Sequence, residues 1–208
     1  MKLVIVGATG PAGRELVRQA LDAGYEVTAI ARRPEEAGLP PQVRVVKGDV
    51  MKPETLGPAL AGSDAVASVL GSKLSRQPTT LLSQGTRNLV EAMKQAGVKR
   101  LVCVTGIGAG DSKGHGGFVY DKIIQPLLLN EIYKDKTRQE EVVRASGLAW
   151  TIVRPAQLTN GPKTGKFRTL TDLKGVTATK ISRADVAGYI LSIIGEAKTQ
   201  GQTVLMTY

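Results

Sequence analysis

The chain is poor in residues that staple, ligate or stack. Its 208 residues include one cysteine, one histidine, one tryptophan and two phenylalanines. A lone cysteine cannot form an internal disulfide, and Cys103, inside the apolar run RLVCVT, reads as a buried thiol. One histidine and one buried-looking cysteine cannot build the usual zinc site, so no metal is expected. Aromatic residues make up 4% of the chain, too few for stacking platforms that hold single-stranded nucleic acid. The longest apolar runs, LVIVGA and DAVASVL, fall far short of the roughly 20 residues that cross a bilayer. No apolar stretch with a small-residue cleavage site follows Met1, so the expected compartment is the cytoplasm, with no membrane partner. There is no Gly-x-Ser-x-Gly elbow, which argues against hydrolase chemistry.

Charge is abundant. The formal net charge is +10, but no run of Lys or Arg exceeds two, so the balance fits an anionic small molecule better than nucleic acid. Apolar β-branched runs alternate with helical patterns. Strands are expected at 2–6, 25–31, 43–48, 64–70, 99–105, 148–154 and 202–207. Helices are expected at 11–23, after Pro53, at 79–95, 119–131 and 135–145, and after a Ser182 cap, with a hairpin-like region at 166–181. This alternation predicts an α/β fold: one Rossmann-like domain over 1–208 with a doubly wound parallel sheet and small substrate-side elements at 155–182. Ligands of such sheets bind at the carboxyl ends of the strands.

The first strand runs straight into GATGPAG. Gly7, Gly10 and Gly13 allow the tight turn, the approach of a pyrophosphate and the packing of helix on strand. The following helix N-terminus offers free N–H groups to phosphates. The second strand ends on Arg32-Arg33 where an NAD site would place an acid. Guanidinium can pair with a 2′-phosphate, so NADP(H) is the expected cofactor; Glu35 and Glu36 could instead take these arginines as surface ion pairs. Asp49, ending the third strand, could accept from the adenine amino group or cap a turn.

The order GATGPAG, ARR, GDV, VLGS resembles atypical short-chain dehydrogenases/reductases. The likeness is greatest to NAD(P)H-binding proteins similar to biliverdin-IXβ reductase/flavin reductase. It continues through QPTTLLSQGTRNLVEAMKQAGV (77–98), RASGLAWTIVRP (144–155) and ISRADVAGYIL (181–191). The resemblance implies that Thr9, Gly10, Pro11 and Ala12 hold the pyrophosphate and Arg32 the 2′-phosphate. Asp49 and Val50 would flank the adenine, and Leu70 and Gly71 would lie along the cofactor. Val104, Thr105 and Gly106 would sit beneath the nicotinamide ribose, with Pro155, Ala156, Gln157 and Leu158 covering the nicotinamide. It also implies a planar, redox-active substrate such as a flavin or linear tetrapyrrole.

The chain departs from the familiar catalytic pattern. Tyr-x-x-x-Lys is missing, because Ile124 stands four places after Tyr120 and Thr137 four places after Tyr133. Tyr133-x-x-Lys136 has the right residue types at a different spacing. The serine of the flavin reductase branch is replaced by Gly106, and its helix histidine by Lys136. Lys136 and Thr105 are the catalytic candidates, although Lys136 could equally pair with Glu140 at i+4. In VTGIGAGDSKGHGGF (104–118) the first half reads as a backbone bed for cofactor. The second reads as a mobile lip, with His115 and Tyr120 facing substrate or, for His115, only solvent. The expected function is NADPH-dependent hydride transfer to a planar acceptor by a monomer or weak homodimer. The alternatives are a non-catalytic NADP(H)-binding sensor, which the missing residues would suit, and an epimerase-like enzyme, which the absent tyrosine disfavours.

Overall fold

A computed structural model describes residues 1–72, 77–118, 121, 123, 127 and 129–208. The chain opens with β1 (Lys2–Val6), α1 (Pro11–Asp22), β2 (Glu26–Ala31) and β3 (Arg44–Lys47). A short α2 (Gly57–Leu60) leads to β4 (Ala65–Ser68), α3 (Leu81–Gln95) and β5 (Arg100–Val104). Then come α4 (Asn130–Arg144), β6 (Ala149–Pro155), β7 (Gln157–Thr159), β8 (Arg168–Leu170), β9 (Lys180–Ser182), α5 (Arg183–Ile194) and β10 (Gln202–Thr207).

Eight strands form one sheet in the order β3-β2-β1-β4-β5-β6-β10-β8, parallel throughout except for β8 against β10. β7 and β9 pair separately, also in parallel. Side chains alternate across each strand, so a sheet covered on both faces needs apolar residues at every position. In β1, Leu3 and Ile5 enter the core beneath α1 and α5, whereas Val4 and Val6 enter the core beneath α3 and α4. β5 divides likewise: Val102 and Val104 on one side, Leu101 and Cys103 on the other. Strand order reverses between β1 and β4, which makes their carboxyl ends the switch point where such sheets take ligands.

Buried polar side chains join the layers. Asp135 of α4 accepts from the backbone amides of Leu82 (2.8 Å) and Ser83 (3.3 Å), so a carboxylate sits at the positive end of α3. Arg100 donates to the carbonyls of Ile193 and Ile194 at the opposite kind of terminus, the end of α5. Asp185 accepts from the amides of Thr164 and Gly165 and from the Tyr208 hydroxyl, and its own amide donates to the Ser182 cap.

Two expectations are corrected. Asn130–Arg144 is one continuous helix, so there is no break between 131 and 135; the polar cluster that looked like a boundary includes Asp135, which faces α3. The other expected helix, 119–131, falls mostly on residues outside those described. The hairpin-like region is not a hairpin: β8 pairs with β10, while β9 pairs with β7. Local sequence marked strands there but could not select their distant partners.

Candidate active site at the carboxyl edge

The first loop is built by backbone fitting against backbone. Gly7 has φ +83, and a Cβ there would lie 2.7 Å from the Val69 carbonyl oxygen. A Cβ on Gly13 would lie 2.1 Å from the Gly7 oxygen, so α1 can start only where no side chain intervenes. Gly10 differs. A Cβ there would meet nothing nearer than 3.5 Å, so its surroundings are open on the protein side. Gly10 is also the residue before α1, with no side chain capping the helix and no acid in its first turn. Pro11 supplies the helical φ without an N–H, and the first-turn amides beyond it have no intrahelical partner. Open space over Gly10 and an uncapped positive helix end fit a dinucleotide pyrophosphate.

Arg32 and Arg33 take different roles. Arg33 is paired with Glu36 at 2.7 Å, as the surface alternative allowed. Arg32 is exposed and makes no ion pair or hydrogen bond with any described residue. A residue that sequence reasoning passed over, Arg14, ties these loops together. Its guanidinium donates to Thr9 O (3.1 Å), Gly38 O (2.6 Å) and Ala37 O (2.8 Å). Its position one residue past the third glycine of the loop was the available signal.

Asp49 caps a turn: its Oδ1 accepts from the Met51 amide at 2.9 Å. Val50 is buried and rests on Gly85, where an added Cβ would lie 2.7 Å from Val50 and 3.5 Å from Leu70. These two apolar side chains therefore meet at the edge, while Gly71 is exposed.

Beyond β5 the glycines make room for side chains. At Gly106 a Cβ would lie 2.9 Å from Lys136 Nζ and 3.3 Å from the Tyr133 hydroxyl. Lys136 Nζ donates to the Thr105 carbonyl at 2.8 Å and lies 4.7 Å from the centre of the Tyr133 ring. The shifted i, i+3 spacing thus brings a phenol and an ammonium to the point where a serine side chain would start. Lys136 is not the partner of Glu140. Glu140 is buried and grips Arg154, itself 2% exposed, through Nε (2.8 Å) and Nη2 (2.6 Å). It also accepts from the Thr105 hydroxyl at 2.8 Å, so that hydroxyl is held within the network. Burial disfavours the Arg154 cation, but Glu140 and Asp111 outweigh this and keep it protonated. Gly110, at φ +54, makes the pair possible, since a Cβ there would lie 2.7 Å from Arg154 Nη2. A charged residue inside the apolar strand AWTIVRP was the sequence signal for this pair.

The second half of the glycine stretch is tied down, not a free lip. Asp111 pairs with Arg154 at 2.6 Å, and Ser112 Oγ accepts from the Gly108 amide at 2.9 Å. His115 donates from Nδ1 to the Val176 carbonyl (2.8 Å), and its own carbonyl accepts from the Ala178 amide. Tyr120 lies outside the described residues. Cys103 is buried, and burial pushes its thiol up to about 12, which leaves it unreactive.

Pro155 and Ala156 are buried beside this network, and Leu158 is half-buried. Gln157 faces a cleft of about 660 Å³ that Ile107, Phe118, Leu129 and Lys180 also line. Among the described residues no group of His, Cys, Asp and Glu could hold a metal, and no helix is long and apolar enough to cross a membrane.

Comparison with known proteins agrees with this geometry. Residues 7–197 match the model of the NAD(P)H-binding family. The Bacillus subtilis protein named uncharacterized sugar epimerase YhfK is 30% identical over all of this chain and 94% of its own length. Other relatives are longer. The chain spans 32% of the Synechocystis photosystem II assembly factor Ycf39, at 36% identity over 49% of this chain. It spans 61% of the chloroplastic Arabidopsis thaliana protein At2g34460, at 32% identity over 79% of this chain. Among solved structures, the oxidoreductase ylbE of Lactococcus lactis aligns with TM-score 0.85 and 27% identity over 100% of this chain and 90% of that one. ChuY of Escherichia coli O157:H7, described as an anaerobillin reductase, shares the fold at TM-score 0.79 and 22% identity, over 100% of this chain and 97% of its own. With its glycine loop on the switch point of a doubly wound sheet, the chain belongs to the NAD(P)H-binding family.

Proposed function

We propose that the protein is a cytoplasmic NADPH-dependent reductase whose acceptor is planar and redox-active, in the class of flavins or linear tetrapyrroles. The observation that carries this reading is the cleft beginning at Gln157 and at Ile107, the latter one residue along the chain from Gly106, where the Lys136 ammonium comes close. When bound, NADPH supplies a hydride from its nicotinamide ring. The chain's own residues do the rest. Gly10 and the N-terminal amides of α1 receive the pyrophosphate, and Arg32, with no partner among the described residues, receives the 2′-phosphate. Val50 and Leu70 pack against the adenine side, while Pro155, Ala156, Gln157 and Leu158 close over the far end. Lys136, aimed by the Thr105 carbonyl, places a positive charge where an acceptor gains electrons. The elements at 155–182 form the substrate side.

Two measurements test this. Arg32→Ala should weaken NADPH binding by roughly 10- to 100-fold, the worth of a charge-assisted hydrogen bond, and barely alter NADH; equal weakening would retire the 2′-phosphate assignment. Mixing protein, NADPH and excess FMN should bleach the nicotinamide absorbance. Cofactor binding without turnover on flavins, quinones and tetrapyrroles would favour a non-catalytic NADP(H) sensor.

One observation favours a second reading. The Tyr133 hydroxyl and Lys136 converge at Gly106, a pairing suited to proton transfer at a carbonyl or alcohol, and the Bacillus relative is named a sugar epimerase. Loss of a sugar-dependent activity in Tyr133→Phe, with flavin reduction absent from the parent protein, would select it.

A further inference from the structure

The cleft carries information about the acceptor beyond its flatness. Ile107, Phe118, Leu129 and Ala178 make much of its lining apolar, and Lys180 is the one charged residue among the described residues that line it. Lys180 is opposite Gln157 in the β7–β9 ladder, so both side chains fall on the same face of this small sheet. The Lys180 carbonyl accepts from the Tyr208 amide, which fixes its backbone. Its ammonium is exposed and has no hydrogen bond or ion pair with any described residue. No carboxylate is among the described residues that line the cleft. Phe118 is 77% exposed, an unusual amount for a phenylalanine and one that a bound ring would cover. The volume, about 660 Å³, suits a ligand of several rings.

We infer that this cleft selects acceptors carrying an anionic arm as well as a flat ring system, with the ring against Phe118 and Ile107 and the carboxylate or phosphate on Lys180. The inference rests on the reductase reading for the identity of the ligand as an acceptor, but binding can be measured without turnover. A neutral flat molecule would leave Lys180 unpaired, and a small anion would leave Phe118 wet. Only a ligand with both features satisfies the two groups together.

FMN and riboflavin share one ring and differ by a phosphate, and their fluorescence reports binding without any reaction. The full chain should bind FMN about fivefold more tightly than riboflavin, the scale of one solvent-exposed ion pair. The gap should shrink as salt is raised. Lys180→Met should close it, Lys180→Arg should keep it, and Phe118→Ala should weaken both flavins alike. Biliverdin against its dimethyl ester repeats the comparison with carboxylates and separates the two kinds of anion. Equal binding of the charged and uncharged members of both pairs, a gap that survives Lys180→Met, or no binding of either ring class would overturn the inference. Lys180-dependent binding without NADPH oxidation would overturn the reductase reading alone and leave the anion selectivity standing.

Discussion

Two glycine-rich loops follow β1 and β5, and they are rich in glycine for opposite reasons. In the first, Gly7 and Gly13 let backbone touch backbone, leaving Gly10 facing open space. The first-turn side chains contribute no acid and no cap. In the second, Gly106 and Gly110 clear space for the ends of Lys136, Tyr133, Arg154 and Glu140, side chains from α4 and β6. The first loop is an outward-facing cradle for a ligand's charge. The second is filled from within by the protein's own charges. Glycine content alone therefore says that something comes close, but not whether it is backbone, side chain or ligand.

The largest expected effect comes from emptying the second loop. Glu140→Ala leaves Arg154 buried without its main counter-charge and should cost about 3–5 kcal/mol by urea unfolding. A loss below about 1 kcal/mol would mean that Asp111 and solvent suffice, and the contrast between the loops would fail. Next comes a pair in the first loop. Gly13→Ala forces a Cβ to within 2.1 Å of a backbone oxygen and should cost about 1–3 kcal/mol or more. Gly10→Ala should change stability by no more than about 0.5 kcal/mol, like an unobstructed surface change. It should nevertheless weaken NAD(P)H in a fluorescence titration; an unaltered affinity would deny Gly10 its role as cradle.

A pair in the second loop sets side-chain crowding against backbone strain, because φ +54 lies near the left-handed minimum and φ +92 does not. Gly110 and Gly114 both have positive φ, +54 and +92, but only at Gly110 would a Cβ meet the ion pair, since nothing lies within 4 Å at Gly114. Gly110→Ala should therefore be less stable than Gly114→Ala by at least about 1 kcal/mol. The smallest effect is pH-dependent. Burial pushes the Asp111 carboxyl up, but Arg154 beside it pulls harder, leaving it below its ordinary value of 3.8. Its stabilisation is present above pH 3.8 and lost as pH falls through the lower folded value. Because Asp111 is largely exposed, Asp111→Asn should cost only about 0.2–1 kcal/mol at neutral pH, a difference that vanishes in acid.

How much could be read in advance follows the range of the interactions. Strand character and the spacing of Gly7, Gly10 and Gly13 are read within short stretches, although Gly7 in the fold also abuts the distant Val69 carbonyl. Arg33 pairing with Glu36, three residues on, was legible as an alternative for the same reason. Glu140 was not. Helical spacing offers it Lys136 on one side and Arg144 on the other; it keeps Arg144 (3.1 Å) but passes over Lys136 for Arg154, brought in from β6, which offers two parallel charge-assisted bonds in a buried setting. For His115 the sequence offers only substrate or solvent, because its acceptor, Val176, lies 61 positions away. The β8 and β9 pairings are hidden for the same reason: strand character is local, whereas the choice of partner is not.

By itself the sequence determined a doubly wound sheet with a dinucleotide loop, because hydrophobic period and glycine spacing act over a few residues and need no distant partner. Only the tertiary structure decided that Tyr133 and Lys136 meet at Gly106, that Glu140 turns to Arg154, and that Lys180 is the one charge among the described residues of a largely apolar cleft. Those outcomes depend on which elements the completed sheet brings side by side, and on the high cost of burying a charge without a partner.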